Sequence, residues 1–233
     1  MAVRRRGFSG LSSPRDIQTT LQYHLSRKHQ RVELSATLPF DDEANRYFIN
    51  LVSSSASYLE YGAGASTLNA CPRVHEFVTV ESDKHFLKAI RDACLLQYPD
   101  DRNADAIRFF IHADIGPTGT WGKPLLPSFP RPSRWKRYAI APWADLGQGF
   151  RADVILIDGR FRVACALTVA LQQPDTHWSL MFDDYTERRE YWATEDFLRI
   201  KRLCGRMAVF EPLPSMDREA ALLALEHYSR DWR

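Results

Sequence analysis

At 233 residues, with 45% apolar and 26% charged side chains and a formal net charge of +2, the chain is long enough to bury a sizeable core and has no global field that would draw it to nucleic acid or to a membrane surface. No apolar run approaches the roughly 18 residues that a membrane-spanning helix needs. The four cysteines, Cys71, Cys94, Cys165 and Cys204, are widely spaced and form no CxxC pair, which argues against a zinc site or a disulfide framework and predicts a reducing, cytoplasmic setting.

In chain order, residues 1–38 read as a polar, basic extension with only a weak apolar pattern between Ile17 and Leu25. Arg4, Arg5 and Arg6 are not followed by a hydrophobic region, so the segment is not patterned as a secretory signal; its Gly, Ser and Pro fit a frayed tail better than a transit peptide. Residues 39–233 read as one domain. DDEANRYFINLVSS opens with acids in its first turn and sets Ala44, Phe48, Leu51 and Val52 near one helical face. Short apolar strands are then predicted at 58–61, 77–81, 107–112, 154–158 and 178–182, with helices at 66–71, 84–98, 163–172 and 187–201. Strands alternating with helices predict βαβ units and a parallel sheet covered on both faces. VILID, uninterrupted Val, Ile and Leu before its acid, suits a strand buried on both sides.

One stretch breaks the rhythm. Residues 115–150, rich in Pro, Trp and Arg, read as irregular over most of their length and as an ordered cover over a site. Arg131, Arg134, Lys136 and Arg137, with Trp135 and Tyr138 among them, are candidates to grip an anionic or sugar-like substrate there. The ordinary alternative is a solvated basic face.

In an open parallel sheet, ligands bind beyond the carboxyl ends of the strands, where strand order reverses. Those ends carry GAGAS after the first strand, then Glu81, Asp114, Asp158 and the pair Asp183–Asp184. Gly62 and Gly64 let the backbone turn and approach a ligand, and Ser66 or Thr67 would cap the next helix. Glu81 stands at the distance at which an acid takes a ribose diol, or else it simply caps the following helix. Glu60 separates two cofactors. A pyrophosphate is repelled by a carboxylate beside its loop, whereas S-adenosylmethionine presents an ammonium and a sulfonium. Thr67 also stands where a dinucleotide fingerprint has its third glycine. Both departures favour S-adenosylmethionine over NAD.

LEYGAGAS, VESD and HAD together resemble motifs I to III of the class I S-adenosylmethionine-dependent methyltransferases. DIGPTGTWG and DVILIDGRFRVACAL resemble a small group of bacterial methyltransferase-like proteins, over roughly residues 40–212. The resemblance implies an α/β, Rossmann-like class I methyltransferase fold: a mostly parallel seven-stranded sheet ending in an antiparallel hairpin, with helices on both faces. RMAVFEPLP would be the sixth strand. The seventh would fall in EAALLALEHY, which by its own pattern is equally a helix. The resemblance further implies that Glu60 and the Gly62 to Gly64 loop hold the methionine end of the cofactor, Glu81 the ribose and Asp114 the adenine amino group.

Asp158, Asp183 and Asp184 lie where metal-dependent O-methyltransferases of the catechol type carry their Mg²⁺ ligands, as Asp, then Asp-Asn. Asp158 and Arg160 are the candidate catalytic residues. The chain departs from that pattern at Asp184, in place of Asn, and at Phe161, in place of the expected lysine, flanked by Arg160 and Arg162. Arginine keeps its proton and is a poor base, but it is suited to clamp a carboxylate or phosphate. The bland alternative has Asp158 anchoring Arg160 or a loop amide and Asp184 capping a helix. His112 is expected to be a satisfied core histidine, and Tyr185, Tyr191 and Trp192 to be packing. The reading is an O-methyltransferase acting on a small-molecule or glycan-type acceptor. The alternatives are a non-catalytic S-adenosylmethionine-binding module and an NAD-type oxidoreductase.

Overall fold

In β1 (Ser57–Tyr61) every residue is buried, and successive side chains enter opposite layers: Tyr58 goes to one set of helices, Leu59 and Tyr61 to the other. The split recurs in β2 (Glu76–Glu81), where Phe77 opposes Val78 and Val80. It recurs again in β4 (Val154–Ile157) and β5 (Ser179–Phe182). This two-sided burial is the reason VILI is apolar throughout. The computed structural model describes residues 33–97, 105–124, 132–174 and 177–233. The basic tail before residue 33, with Arg4, Arg5, Arg6 and the pattern from Ile17 to Leu25, lies outside the described residues, as does Arg131.

The sheet has seven strands in the order β3-β2-β1-β4-β5-β7-β6. Strands β1 to β5, with β3 at Ile107–His112, are parallel; β7 (Met207–Pro212) runs antiparallel between β5 and β6 (Leu198–Cys204). Helices α1 (Asp42–Ser53), α2 (Ala65–Ala70) and α3 (Lys84–Gln97) cover one face through Phe48, Val52, Leu68, Ile90 and Cys94. Helices α4 (Pro132–Leu146), α5 (Arg162–Gln172) and α6 (Arg218–Tyr228) cover the other. Helix α5 is buried from Arg162 to Leu171 and packs between α4 and α6. All four cysteines are buried and free. Among the described residues, no helix is long and apolar enough to cross a membrane.

The α/β class, the five parallel strands and the closing hairpin are as expected; three elements correct the sequence reading. The helix expected over 187–201 is a 3₁₀ segment, Arg189–Asp196, followed by strand β6. A register shift between Ile200 and Arg202 leaves Leu203 exposed and hides the alternation that marks a strand. EAALLALEHY is helix α6, with Asp217 accepting the N–H groups of Glu219 and Ala220 at its start. Residues 132–146 of the stretch read as irregular are helix α4. Pro132 opens it, where a missing N–H costs nothing, and Trp135, Tyr138 and Trp143 anchor it in the core despite Pro142. His112 is exposed on the edge strand rather than in the core, its Nε2 3.2 Å from the Ser82 carbonyl.

Candidate active site

Strand order reverses between β1 and β4, and the turns leaving these two strands pack directly on each other. A Cβ on Gly62, at φ +99°, would lie 2.7 Å from the Gly159 backbone. A Cβ on Gly159 would lie 2.1 Å from the Tyr138 hydroxyl and 2.8 Å from the Gly62 nitrogen. Both positions therefore need glycine. Gly64 differs, since a Cβ there would meet nothing within 4 Å. The loop has a tight underside and an open top.

Glu60 lies beneath this loop and is wholly buried. It accepts hydrogen bonds from the Tyr58 hydroxyl at 3.0 Å, from Ser66 Oγ at 2.8 Å and from Thr67 Oγ1. Thr67 Oγ1 also accepts the Gly64 N–H at 2.8 Å. So Ser66 serves Glu60 alone, whereas Thr67 does both: its Oγ1 donates to Glu60 and accepts the N–H of Gly64, the N-cap residue of α2. Burial pushes the Glu60 carboxyl up to about 7, against the pull of the hydroxyls.

Glu81 ties the loop to β2. Its Oε2 accepts the Ala63 N–H at 3.2 Å, and its Oε1 accepts the N–H groups of Ser82 at 2.6 Å and Asp83 at 2.8 Å. Oε2 thus keeps a lone pair for a further hydroxyl. Burial raises the Glu81 carboxyl above its ordinary range. Over Oε1 sits Gly122, at φ +66°, where a Cβ would lie 2.5 Å from Ser82 Oγ and 3.3 Å from Glu81 Oε1. Asp114, beyond β3, is exposed; its Oδ1 accepts the Gly116 N–H at 2.9 Å and its Oδ2 lies 3.4 Å from Arg134. The residues present therefore fit the cofactor that the sequence implies: an open loop at the switch point and one free carboxylate lone pair beside it.

On the β4–β5 side, Asp158, Asp183 and Asp184 bring carboxylate oxygens within 4.8 Å of one another. Their number and closeness would suit a hard cation, but guanidinium groups already hold them. Arg206, in the β6–β7 turn, grips Asp183 through Nε at 2.9 Å and Nη2 at 3.0 Å. Arg188 binds Asp184 Oδ2 at 2.8 Å, and Arg206 Nε lies 3.3 Å from its Oδ1. Arg162 reaches Asp158 Oδ1 at 2.8 Å and Asp184 Oδ2 at 3.4 Å, and donates to the Asp183 carbonyl at 2.7 Å. Three guanidinium groups balance three carboxylates, so a divalent ion would add uncompensated positive charge. The donor set does not fit a metal while these pairs are closed. Burial, aided by the charges of Asp183 and Asp184, pushes the Asp158 carboxyl up to about 6 although Arg162 pulls it down.

Among the described residues, the non-glycine positions with positive φ are Trp121 at 61°, Phe161 at 54° and Asp184 at 57°. They follow parallel strands at their carboxyl ends, Trp121 after β3, Phe161 after β4 and Asp184 after β5, and such backbone costs about 1–3 kcal/mol each. Sequence reasoning passed over Gly159, Gly122 and Arg206, for the last of which GR at a two-residue turn is the readable signal. Arg162, named there with Arg160 as suited to clamp a substrate anion, instead holds Asp158 and the Asp183 carbonyl. Of the cover residues, Trp135 and Tyr138 are core. Lys136 pairs with Glu226, Arg137 with Asp145 at 3.0 Å, and among the described cover residues only Arg134 reaches an expected site residue, Asp114. Tyr185 and Tyr191 pack on Phe182, and Tyr191 also lies under the guanidinium groups of Arg162 and Arg188. Trp192 is half exposed beneath Arg189.

Among solved structures, the chain is similar to a methyltransferase-like protein from Silicibacter pomeroyi. The identity is 32%, covering 84% of this chain and 97% of that one, with a TM-score of 0.71. It is also similar to a dimethyladenosine transferase from Plasmodium falciparum, at 13% identity over 80% of this chain and 65% of that one; at a TM-score of 0.41 that likeness bears no argument. No protein-family model and no curated protein matches the chain.

Proposed function

Because the chain belongs to the methyltransferase-like family of the first of these structures, within the class I methyltransferase fold, we propose that it binds S-adenosylmethionine and transfers its methyl group. The observation that carries this reading is the Gly62 to Gly64 loop at the switch point, open over Gly64 and tied through Ala63 to Glu81. When bound, the cofactor supplies an electrophilic methyl on a sulfonium. Glu81 Oε2 would accept a ribose hydroxyl, and Asp114 would meet the adenine edge. Glu60 would act from below the loop, where its partial negative charge favours a cationic ligand across a short, low-dielectric distance. The same charge disfavours a pyrophosphate, and Thr67 is occupied by Glu60, which together weigh against an NAD-type oxidoreductase.

The acceptor in this reading is a hydroxyl on a small-molecule or glycan-type substrate. Asp158, its carboxyl raised toward neutrality, is the group to take the acceptor's proton during in-line attack. No step uses a metal, because the acids are held by arginines. A divalent ion enters only if those pairs open. The occupied acids also favour a second reading, a binding module without turnover. Four buried free cysteines support a reducing, cytoplasmic compartment.

Thermal-shift titration with S-adenosylmethionine, S-adenosylhomocysteine and NAD, each with Mg²⁺ and with EDTA, tests the cofactor. A ligand at about 100 times its Kd adds roughly 2.7 kcal/mol of stability. A shift with both sulfur compounds and none with NAD is expected, equal in Mg²⁺ and EDTA. A shift with NAD alone would overturn the reading, and a Mg²⁺-dependent shift lost in Asp183→Ala would restore the metal. Release of S-adenosylhomocysteine in the presence of hydroxylated acceptors separates an enzyme from a binding module.

A further inference from the structure

The two arginines that flank Phe161 meet opposite fates. Phe161 is wholly buried against Trp135 and Tyr138 and holds a φ of 54°, an outlier for so bulky a residue. This turn sends Arg162 inward, where its guanidinium donates to the carbonyls of Gly159, Asp158 and Asp183 and to the Asp158 carboxylate. Arg160 goes the other way. It is part-buried, and its Nε is buried with no hydrogen-bond partner. Among the described residues no carboxylate lies within ion-pair distance of its guanidinium, although Arg134, Arg162, Arg188 and Arg206 on the same edge all have one.

Its surroundings are those of the crevice. The Arg160 stem lies 3.9 Å from where a Gly122 Cβ would stand, and its charge is felt by Glu81 on one side and Asp158 on the other. The side chain therefore lies beside the Gly122 turn, between the strand-end acids Glu81 and Asp158. A buried Nε–H without an acceptor is costly, and strain that aims the side chain there has to be offset by something. The planar fork of donors matches a carboxylate or a phosphate.

We propose that Arg160 is an anion-binding residue of the crevice, and that the ligand closing on it presents a carboxylate or phosphate. That group comes either from the amino-acid end of the cofactor or from the acceptor, which would then be an acidic molecule. The inference rests on the crevice being the methyl-transfer site.

The test is titration calorimetry on the full chain as wild type, Arg160→Gln and Arg160→Lys, with circular dichroism to confirm folding. Arg160→Lys keeps the charge without the fork and serves if the Gln variant does not fold. S-Adenosylhomocysteine and methylthioadenosine differ in the amino-acid end. If the cofactor supplies the anion, Arg160→Gln weakens S-adenosylhomocysteine by about tenfold or more and leaves methylthioadenosine unchanged. If the acceptor supplies it, S-adenosylhomocysteine is unchanged, while benzoate or phenyl phosphate added to the loaded protein binds about tenfold more weakly to Arg160→Gln and benzyl alcohol does not discriminate. Equal affinities of all three proteins for all of these probes would overturn the proposal. Should neither nucleoside bind the wild type, the methyltransferase reading falls. Benzoate and phenyl phosphate titrated into the unliganded chain then still decide the matter: binding that depends on Arg160 supports the clamp, and binding that is absent or indifferent to Arg160 overturns it.

Discussion

On the β1–β2 side of the crevice, Glu60 and Glu81 are held by neutral donors, hydroxyls and backbone N–H groups, whereas on the β4–β5 side Asp158, Asp183 and Asp184 are held by guanidinium groups. Neutral donors orient a carboxylate without cancelling its charge, so burial moves Glu60 into the physiological range. Guanidinium groups cancel the charge but tie several acids to one partner. The first side should therefore answer to pH through Glu60, and the second, where Asp158 too is raised, should answer most strongly to loss of a partner.

The largest effect is expected from Arg162→Met. It leaves Asp158 and Asp184 without their shared cation and should cost about 3–5 kcal/mol in urea denaturation, far more than loss of any one donor to Glu60. Next, Glu60→Gln should change how stability depends on pH. Glu60 titrates near 7 when folded against 4.5 ordinarily, so the folded chain binds the extra proton and the wild type loses stability as pH rises from about 4.5 through 7. The variant lacks that loss. The difference between the two proteins, followed by chemical denaturation from pH 4.5 to 8, should change by on the order of 3 kcal/mol in favour of Gln. A flat difference would mean that Glu60 stays ionised throughout. Gly159→Ala, at the seam between the two sides, should cost about 1–3 kcal/mol through its clash with the Tyr138 hydroxyl and the Gly62 nitrogen. Tyr138→Phe in the same chain should recover part of that loss, which the midpoint of the double variant would show. The smallest effect is expected from Arg134→Ala: its exposed pair with Asp114 contributes under about 1 kcal/mol, so stability holds.

The same division describes what was legible in the sequence. The glycine loop and the strand-end acids were readable because each is set by a local constraint, a tight turn or the end of an apolar run. Their partners were not. Arg206 reaches Asp183 across 23 residues, and whether Arg160 or Arg162 turns inward depends on the φ of Phe161. Strand β6 was missed because a bulge interrupts its alternation, and α4 because Pro132 and Pro142 hid a helix whose stability lies in its buried aromatic face.

The place of β7 between β5 and β6 has a kinetic consequence. Hairpin β6–β7 is local in sequence and can close on its own in microseconds, but it completes the sheet only by docking β7 against β5. Arg206 rides at its tip, so the charge balance around Asp183 arrives with that docking step rather than before it. Opening of the hairpin as one cooperative unit, the kind of event that amide hydrogen exchange resolves, would strip Asp183 of its cation in the same motion.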